Sequence, residues 1–301
     1  PLIFDQEGIN EIAHRKLRLY SPPDLSEWKR LVNNLSNLEG EITIAICGKY
    51  TKLEDSYASI IEALMHCSAH TKHKINLKWI ETTEIEEGKM TAQEALAGVQ
   101  GIIVPGGFGS RGTEGKIEVI RYVRENNIPF LGICLGLQLA VIEFARNVCG
   151  LEKAHSTEIN PETSHPVVDI LPEQKEVTEK GGTMRLGAYP AKLTENSLAF
   201  SLYQNQEVSE RHRHRYEVNP DYHQVLKEKG LIISGLSPDG KLAEFIELKN
   251  HLYFISTQAH PELKSKLLKP APLFFGLVKA AIEKKSDTLP NSAEISSATF
   301  K

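Results

Sequence analysis

The chain has 301 residues, 41% hydrophobic and 25% charged, the balance of an ordinary globular protein with enough length for one large core or two small ones. A formal net charge of -4 and a pI near 6.3 argue against a dedicated nucleic-acid binder. No apolar run approaches the roughly 20 residues of a membrane span, and no signal peptide is visible.

In chain order, a start at Pro1 rather than Met, inside what reads as structure, predicts a piece of a longer protein. Ile9 to Leu19 reads as a helix that Pro22-Pro23 breaks. Asp24 or Ser26 then caps a second helix with Trp28, Leu31, Val32 and Leu35 as its apolar stripe. Residues 1–40 are therefore expected to be a helical linker. The globular body is expected over 41–285. Ile42 to Cys47 has the β-branched, apolar character of a buried strand, Ile75 to Ile80 alternates as a second strand, and Gly101 to Val104 and Ile128 to Ile133 read as the third and fourth. Helical patterns cover Asp55 to His70, Ala92 to Ala97, Gly115 to Glu125 and the stretch from Leu135 to Gly150. This alternation predicts a doubly wound α/β fold, mostly parallel, with its site beyond the carboxyl ends of the strands.

After Gly150 the rhythm changes. Val167 to Ile170, Met184 to Leu193, His212 to Val218, Leu231 to Leu236, Leu242 to Leu248 and Leu252 to Ser256 read as strands. They are expected to add antiparallel to the same sheet. Short helices fit Asn196 to Tyr203 and Tyr222 to Lys229, and Ala271 to Lys284 closes the body. Residues 286–301, rich in Ser, Thr, Asn and Glu, are expected to be a disordered tail.

Three stretches carry chemistry. Gly132-Ile133-Cys134-Leu135-Gly136 joins a strand to a helix, with small residues two before and two after a nucleophile. That pattern suits a sharp elbow exposing the sulfur, with a helix amino terminus favouring thiolate. Alone, such a cysteine is as well read as an inert core residue. None of the four cysteines, Cys47, Cys67, Cys134 and Cys149, has metal-type or redox-pair spacing, which suits a reducing, cytoplasmic compartment. Second, His260-Pro261-Glu262 follows the strand Leu252 to Ser256, supplying a base and an orienting carboxylate from one loop. Third, Pro105-Gly106-Gly107-Phe108-Gly109 is Gly-rich without the lysine of a phosphate loop. Beside a cysteine nucleophile its Gly107 N–H, with that of Leu135, suits an oxyanion hole.

Together these stretches resemble a class I glutamine amidotransferase, from about Glu41 to Lys284. Within that class, Gly181-Gly182-Thr183-Met184-Arg185-Leu186-Gly187 and Arg211-His212-Arg213-His214-Arg215-Tyr216-Glu217 are similar to the glutaminase domains of the CTP synthase family. The resemblance implies a flavodoxin-like sheet and a triad of Cys134, His260 and Glu262. It implies an oxyanion hole at Gly107 and Leu135, and L-glutamine held by Gln138, Glu158 and Arg215. An Arg fork suits a substrate carboxylate and a carboxylate suits its ammonium. No metal or cofactor is implied for this half. ATP, Mg and UTP would serve an amino-terminal synthetase domain absent here, residues 1–40 being its remnant, in a tetrameric enzyme. GTP would activate glutamine hydrolysis, with Phe108 and Arg111 placed beside the oxyanion hole to take part. No nucleic-acid or membrane partner is implied. Two alternatives stay open: the glutaminase of another amidotransferase, and a non-catalytic flavodoxin-like binding or assembly module. Glu173 to Gly181 is charged and has no assigned role.

Overall fold

The computed structural model describes residues 1–21, 23–49, 54–170 and 184–288. The apolar runs of the first half become strands in the order expected. They are β1 (Gly40–Gly48), β2 (His73–Glu81), β3 (Gly101–Val104) and β4 (Phe130–Ile133). Both β3 and β4 are buried along their whole length, as strands covered on two faces must be. Three short helices, α1 (Leu2–Gln6), α2 (Ile9–Leu17) and α3 (Ser26–Ser36), precede them. Asp24 accepts the Ser26 N–H at 2.9 Å as α3 begins. The stripe expected on α3 is rotated: Leu31 is buried but Val32 faces outward, and Asn34 turns in to donate to the Ala69 carbonyl at 2.9 Å.

Between the strands lie α4 (Ala58–Thr71), α5 (Thr82–Glu86), α6 (Ala92–Ala95) and α7 (Thr113–Glu125). The helix α8 (Leu135–Asn147) follows β4 directly. The second half supplies β5 (Ala154–Ser156), β6 (His165–Asp169), β7 (Arg185–Leu193), α9 (Leu198–Tyr203), β8 (Glu207–His214) and β9 (Glu217–Val218). It ends with α10 (His223–Glu228), β10 (Leu231–Leu236), β11 (Ala243–Leu248), β12 (Phe254–Thr257) and α11 (Pro272–Thr288).

Among the described residues nine strands form one sheet in the order β2-β1-β3-β4-β12-β11-β10-β7-β8. The first five run parallel and the rest join antiparallel. Helices α5 to α8 contribute to one apolar layer, while α4, α9 and α11 contribute to the other. Four expectations are corrected. Strand β12 is no antiparallel addition to its neighbour in the first half. It runs parallel to β4, with Ser256 opposite Gly132 and Thr257 opposite Ile133. Strands β5, β6 and β9 form a separate three-stranded sheet. The expected strand His212 to Val218 breaks at Arg215-Tyr216, so β8 stays in the large sheet and β9 enters the small one. Helix α11 also continues through Ser286, past the expected boundary. The segment Glu173 to Gly181, the leading Gly181-Gly182-Thr183 of one motif, and the tail from residue 289 lie outside the described residues.

The β4–β12 seam positions the site. Phe130 and Phe254 open the two strands side by side, ring centroids 4.6 Å apart, a contact worth about 0.5–1.5 kcal/mol beyond its buried area. At the other end the Cys134 N–H donates to the Thr257 carbonyl at 2.8 Å. The residue after β4 and the loop after β12 are thereby fixed against one another.

Candidate active site

Cys134 sits between β4 and α8 with φ 53° and ψ -101°, a conformation a non-glycine residue holds only where its surroundings impose it. The flanking glycines explain how. A methyl on Gly132 would stand 2.4 Å from Ser256 Oγ, and one on Gly136 would stand 2.2 Å from the Val104 carbonyl oxygen. Neither position tolerates a side chain, so the strand can turn into the helix within two residues.

Gly106 closes the other side. A methyl there would stand 2.8 Å from His260 Cε1 and 3.4 Å from Cys134 Cβ, which places cysteine and imidazole against the same backbone atom. His260 Nδ1 and Glu262 Oε1 are 2.7 Å apart, and Glu262 is buried. The His260 N–H donates to the Arg211 carbonyl at 2.7 Å, so β8 holds the loop from its other side. Burial opposes charge on His260, but hydrogen bonds and charges from Cys134 and Glu262 outweigh it and raise its pKa to about 10. Gln258 Nε2 donates to Cys134 Sγ at 3.7 Å, and the sulfur lies 4.0 Å from the Arg213 carbonyl oxygen.

A cavity of about 280 Å³ opens beside the sulfur, its wall including Gly107, Leu135, Gln138, Glu158, Arg215 and Phe108. Eight of the ten residues singled out in the sequence for binding or catalysis thus meet here or in the adjoining His260-Glu262 loop, counting those two with these six. Cys134 is the ninth. Gln138 spends its amide N–H on the Tyr216 carbonyl at 2.9 Å and on Gln258 Oε1 at 3.3 Å. Glu158 is raised by burial, against the Gly109 N–H and the charge of Lys49. Half-exposed Phe108 carries the Arg213 guanidinium 5.9 Å from its ring centroid. Arg111 is the tenth and is not part of this wall: it lies 3.8 Å from Glu81, with most of its side chain exposed.

Four contributors were missed in the sequence: Gln258, His214, Tyr216 and Met184. Gln258 lies between the strand Leu252 to Ser256 and the His260-Pro261-Glu262 loop, and a polar side chain at that buried position was a usable signal. His214 belongs to a buried network that explains the two unusual motifs. Arg185 donates to Glu217 at 3.1 Å and to Glu244 at 2.7 Å. His212 and His214 face each other at 2.9 Å, with His212 3.8 Å from Glu244. Burial and then the Arg185 charge push His212 down to about 3, and the same burial pushes His214 well down, so both imidazoles are neutral. Burial raises Glu217 to about 8 despite Arg185. Only a charge-bearing strand that alternates inward and outward could place this network behind the cavity while leaving Arg211 and Arg213 outside. Among the described residues no group of three or more His, Cys, Asp or Glu side chains is placed to hold a metal ion, and no helix is long and apolar enough to cross a membrane.

An elbow cysteine, a strand-end His-Glu pair and a cavity walled in part by Gln138, Glu158 and Arg215 at the carboxyl end of a parallel sheet are the parts of a cysteine amidohydrolase site. Residues 52–280 match the family model described as glutamine amidotransferase class-I, and the chain belongs to that family. Relatives at 50–62% identity include CTP synthases. The chain is 62% identical over 292 residues to the CTP synthase of Methanococcus maripaludis, covering 94% of this chain and 54% of that protein. It is 56% identical over 290 residues to that of Methanocaldococcus jannaschii, covering 95% and 54%. A solved structure, the glutaminase domain of Trypanosoma brucei CTPS with bound acivicin, superposes with a TM-score of 0.74 at 36% identity. That match covers 80% of this chain and 94% of the other. The chain spans about half the length of the curated relatives it matches.

Proposed function

We propose that the chain is the glutaminase half of a CTP synthase, releasing ammonia from L-glutamine for a synthetase half that precedes it. The observation that carries this reading is the meeting of Cys134 with the 2.7 Å His260–Glu262 pair beside a cavity that offers Glu158 and Arg215. Glu158 suits the substrate ammonium and Arg215 its α-carboxylate, leaving the side-chain amide to reach the sulfur.

Cys134 Sγ attacks the amide carbon, forming a C–S bond as the carbonyl π electrons move to oxygen. The oxyanion is received by the N–H groups of Gly107 and Leu135. His260, held by Glu262, gives a proton to the nitrogen; the C–N bond breaks and ammonia leaves. Water then adds to the γ-glutamyl thioester while His260 takes its proton. Collapse expels the Cys134 sulfur and yields glutamate. Among the described residues the chemistry calls on side chains and backbone alone.

ATP, Mg and UTP belong in this proposal to the synthetase half, GTP to activation of hydrolysis, and a tetramer to the intact enzyme in the cytoplasm. Residues 1–40 are read as the junction and 41–285 as the glutaminase domain. The apolar side chains of Ile3, Phe4, Ile12 and Leu17 stand exposed on α1 and α2, which supports a partner surface there. Phe108, between the cavity and Arg213, remains the better-placed residue for an activator's effect on the Gly107 loop; Arg111 is the more remote.

The test is peptide mass spectrometry after treatment with a diazo-ketone analogue of glutamine. A single adduct on Cys134, competed by glutamine and lost in Cys134→Ser, is expected. Buried Cys47 is pushed up to about 12 and Cys67 is raised further by burial, so neither thiol competes. Labelling spread over other cysteines, or none at all, would overturn the assignment.

A further inference from the structure

A cavity of about 610 Å³ takes no part in the chemistry above and shares no wall residue with the one beside Cys134. Its wall comes from β7, β8, α9 and the segment between Pro261 and Pro272. Arg211, Lys264, Lys266 and Lys269 line it as exposed side chains. Lys264 is spent on the Ser209 carbonyl, while among the described residues the other three have no ion-pair partner. The buried part of the wall carries the opposite charge. Glu210 is 6% exposed, on the side of β8 that also buries Val208, His212 and His214. Tyr203 donates to Glu210 Oε1 at 3.0 Å, but Oε2 is buried and among the described residues has no hydrogen-bond partner. A buried carboxylate oxygen is ordinarily met by a donor, because it has given up its hydration. Burial pushes the Glu210 carboxyl up to about 7, and neither the Lys264 charge nor the Tyr203 hydroxyl makes good what it lost.

We propose that this cavity binds a dicarboxylic α-amino acid, its ammonium on Glu210 Oε2 and its carboxylates on the cations at the mouth. An amine alone would meet Glu210 but face four positive charges. A simple anion would meet those charges but leave the orphan oxygen bare and opposed by like charge. A zwitterion with a second carboxylate answers both demands at once, through charge-assisted hydrogen bonds at either end. The volume lies within the ordinary range for a small-molecule site. The site stands whether or not the cavity beside Cys134 takes glutamine.

The experiment is isothermal titration calorimetry of the chain with L-glutamate, with glutarate, which lacks the ammonium, and with propylamine, which lacks the carboxylates. Wild type is compared with Glu210→Gln, with the double variant Lys266→Glu/Lys269→Glu and with Arg215→Met. L-Glutamate is expected to bind, and the two partial analogues to bind more weakly by roughly tenfold or more, the loss of a hydrogen bond between charged groups. Glu210→Gln and the double variant should each weaken L-glutamate by roughly the same factor. Arg215→Met, which alters the cavity beside Cys134, should leave a site of unchanged affinity. A glutamine side chain keeps an acceptor for the Tyr203 hydroxyl, and both lysines are exposed. The variants should therefore keep the wild-type urea midpoint, so a lost response is not a lost fold. L-Glutamate binding that vanishes in Arg215→Met yet persists in Glu210→Gln belongs to the cavity beside Cys134 and overturns the proposal. Glutarate bound as tightly as L-glutamate, unaltered binding in Glu210→Gln, or no binding at all overturns it too.

Discussion

Gly106→Ala tests the geometry of the site more directly than removal of a catalytic side chain. Its new methyl would stand 2.8 Å from His260 Cε1 and 3.4 Å from Cys134 Cβ, where ordinary contact begins at about 3.4 Å. The sulfur side is at the limit, so the imidazole must withdraw, by roughly half to one ångström. A displacement of that size costs about 10²-fold in rate, or about 2.7 kcal/mol in the barrier. Glu262 and the Arg211 carbonyl hold His260 from behind, so the ring cannot retreat without loosening one of them. The assay is glutamate release under saturating glutamine, with the diazo-ketone inactivation rate as a second readout. Gly106→Ala within threefold of wild type would refute the placement of His260 against Gly106.

Other outcomes follow from the same contacts. Glu262→Gln should lower kcat by about 10²–10⁴-fold with little change in KM, since the carboxylate orients His260 and touches no substrate; steady-state kinetics checks both parameters. His260 contributes stability that is full below its ordinary pKa of 6.5 and is lost as pH rises through about 10, because its folded-state value is raised. The difference in urea midpoint between wild type and His260→Asn should therefore shrink from pH 6 to pH 10. Arg185→Met leaves the buried Glu217 and Glu244 without their shared donor and should cost about 2–4 kcal/mol in urea unfolding. Gly136→Ala drives a methyl to 2.2 Å from the Val104 carbonyl and should yield little folded protein, read as soluble expression and far-ultraviolet circular dichroism.

How much of this was legible in the sequence depends on the range of the interaction. Strands β1, β3 and β4 announce themselves through local runs such as Ile42 to Cys47, because burial on both faces demands unbroken apolar sequence, and the edge strand β2 through its alternation. The elbow was readable for a similar reason: the glycines at 132 and 136 are a local steric requirement. The direction of β12 was not, since Phe254–Thr257 reads the same whether its neighbour is parallel or antiparallel. Nor was the turn at Arg215-Tyr216, where a continuous charged pattern leaves one sheet for another to complete the Arg185–Glu217 pair. The small sheet escaped notice because β5 and β9 are three and two residues long, too short for periodicity. Glu210 escaped for a different reason: a glutamate reads as solvent-facing, and only the packed structure reveals its burial.

The seam between β4 and β12 also sets an order of events during synthesis. The nucleophile emerges from the ribosome long before the histidine that is to serve it, and β4 waits with an open edge until β12 arrives. Closing so long a loop is slow, and the parallel pairing admits no hairpin shortcut. The acid–base machinery therefore assembles only when β12 joins the four parallel strands before it to the four antiparallel strands beyond it. A chain truncated before β12 would carry the cysteine without its base and expose an apolar strand edge, a species more prone to aggregate than to release ammonia without control.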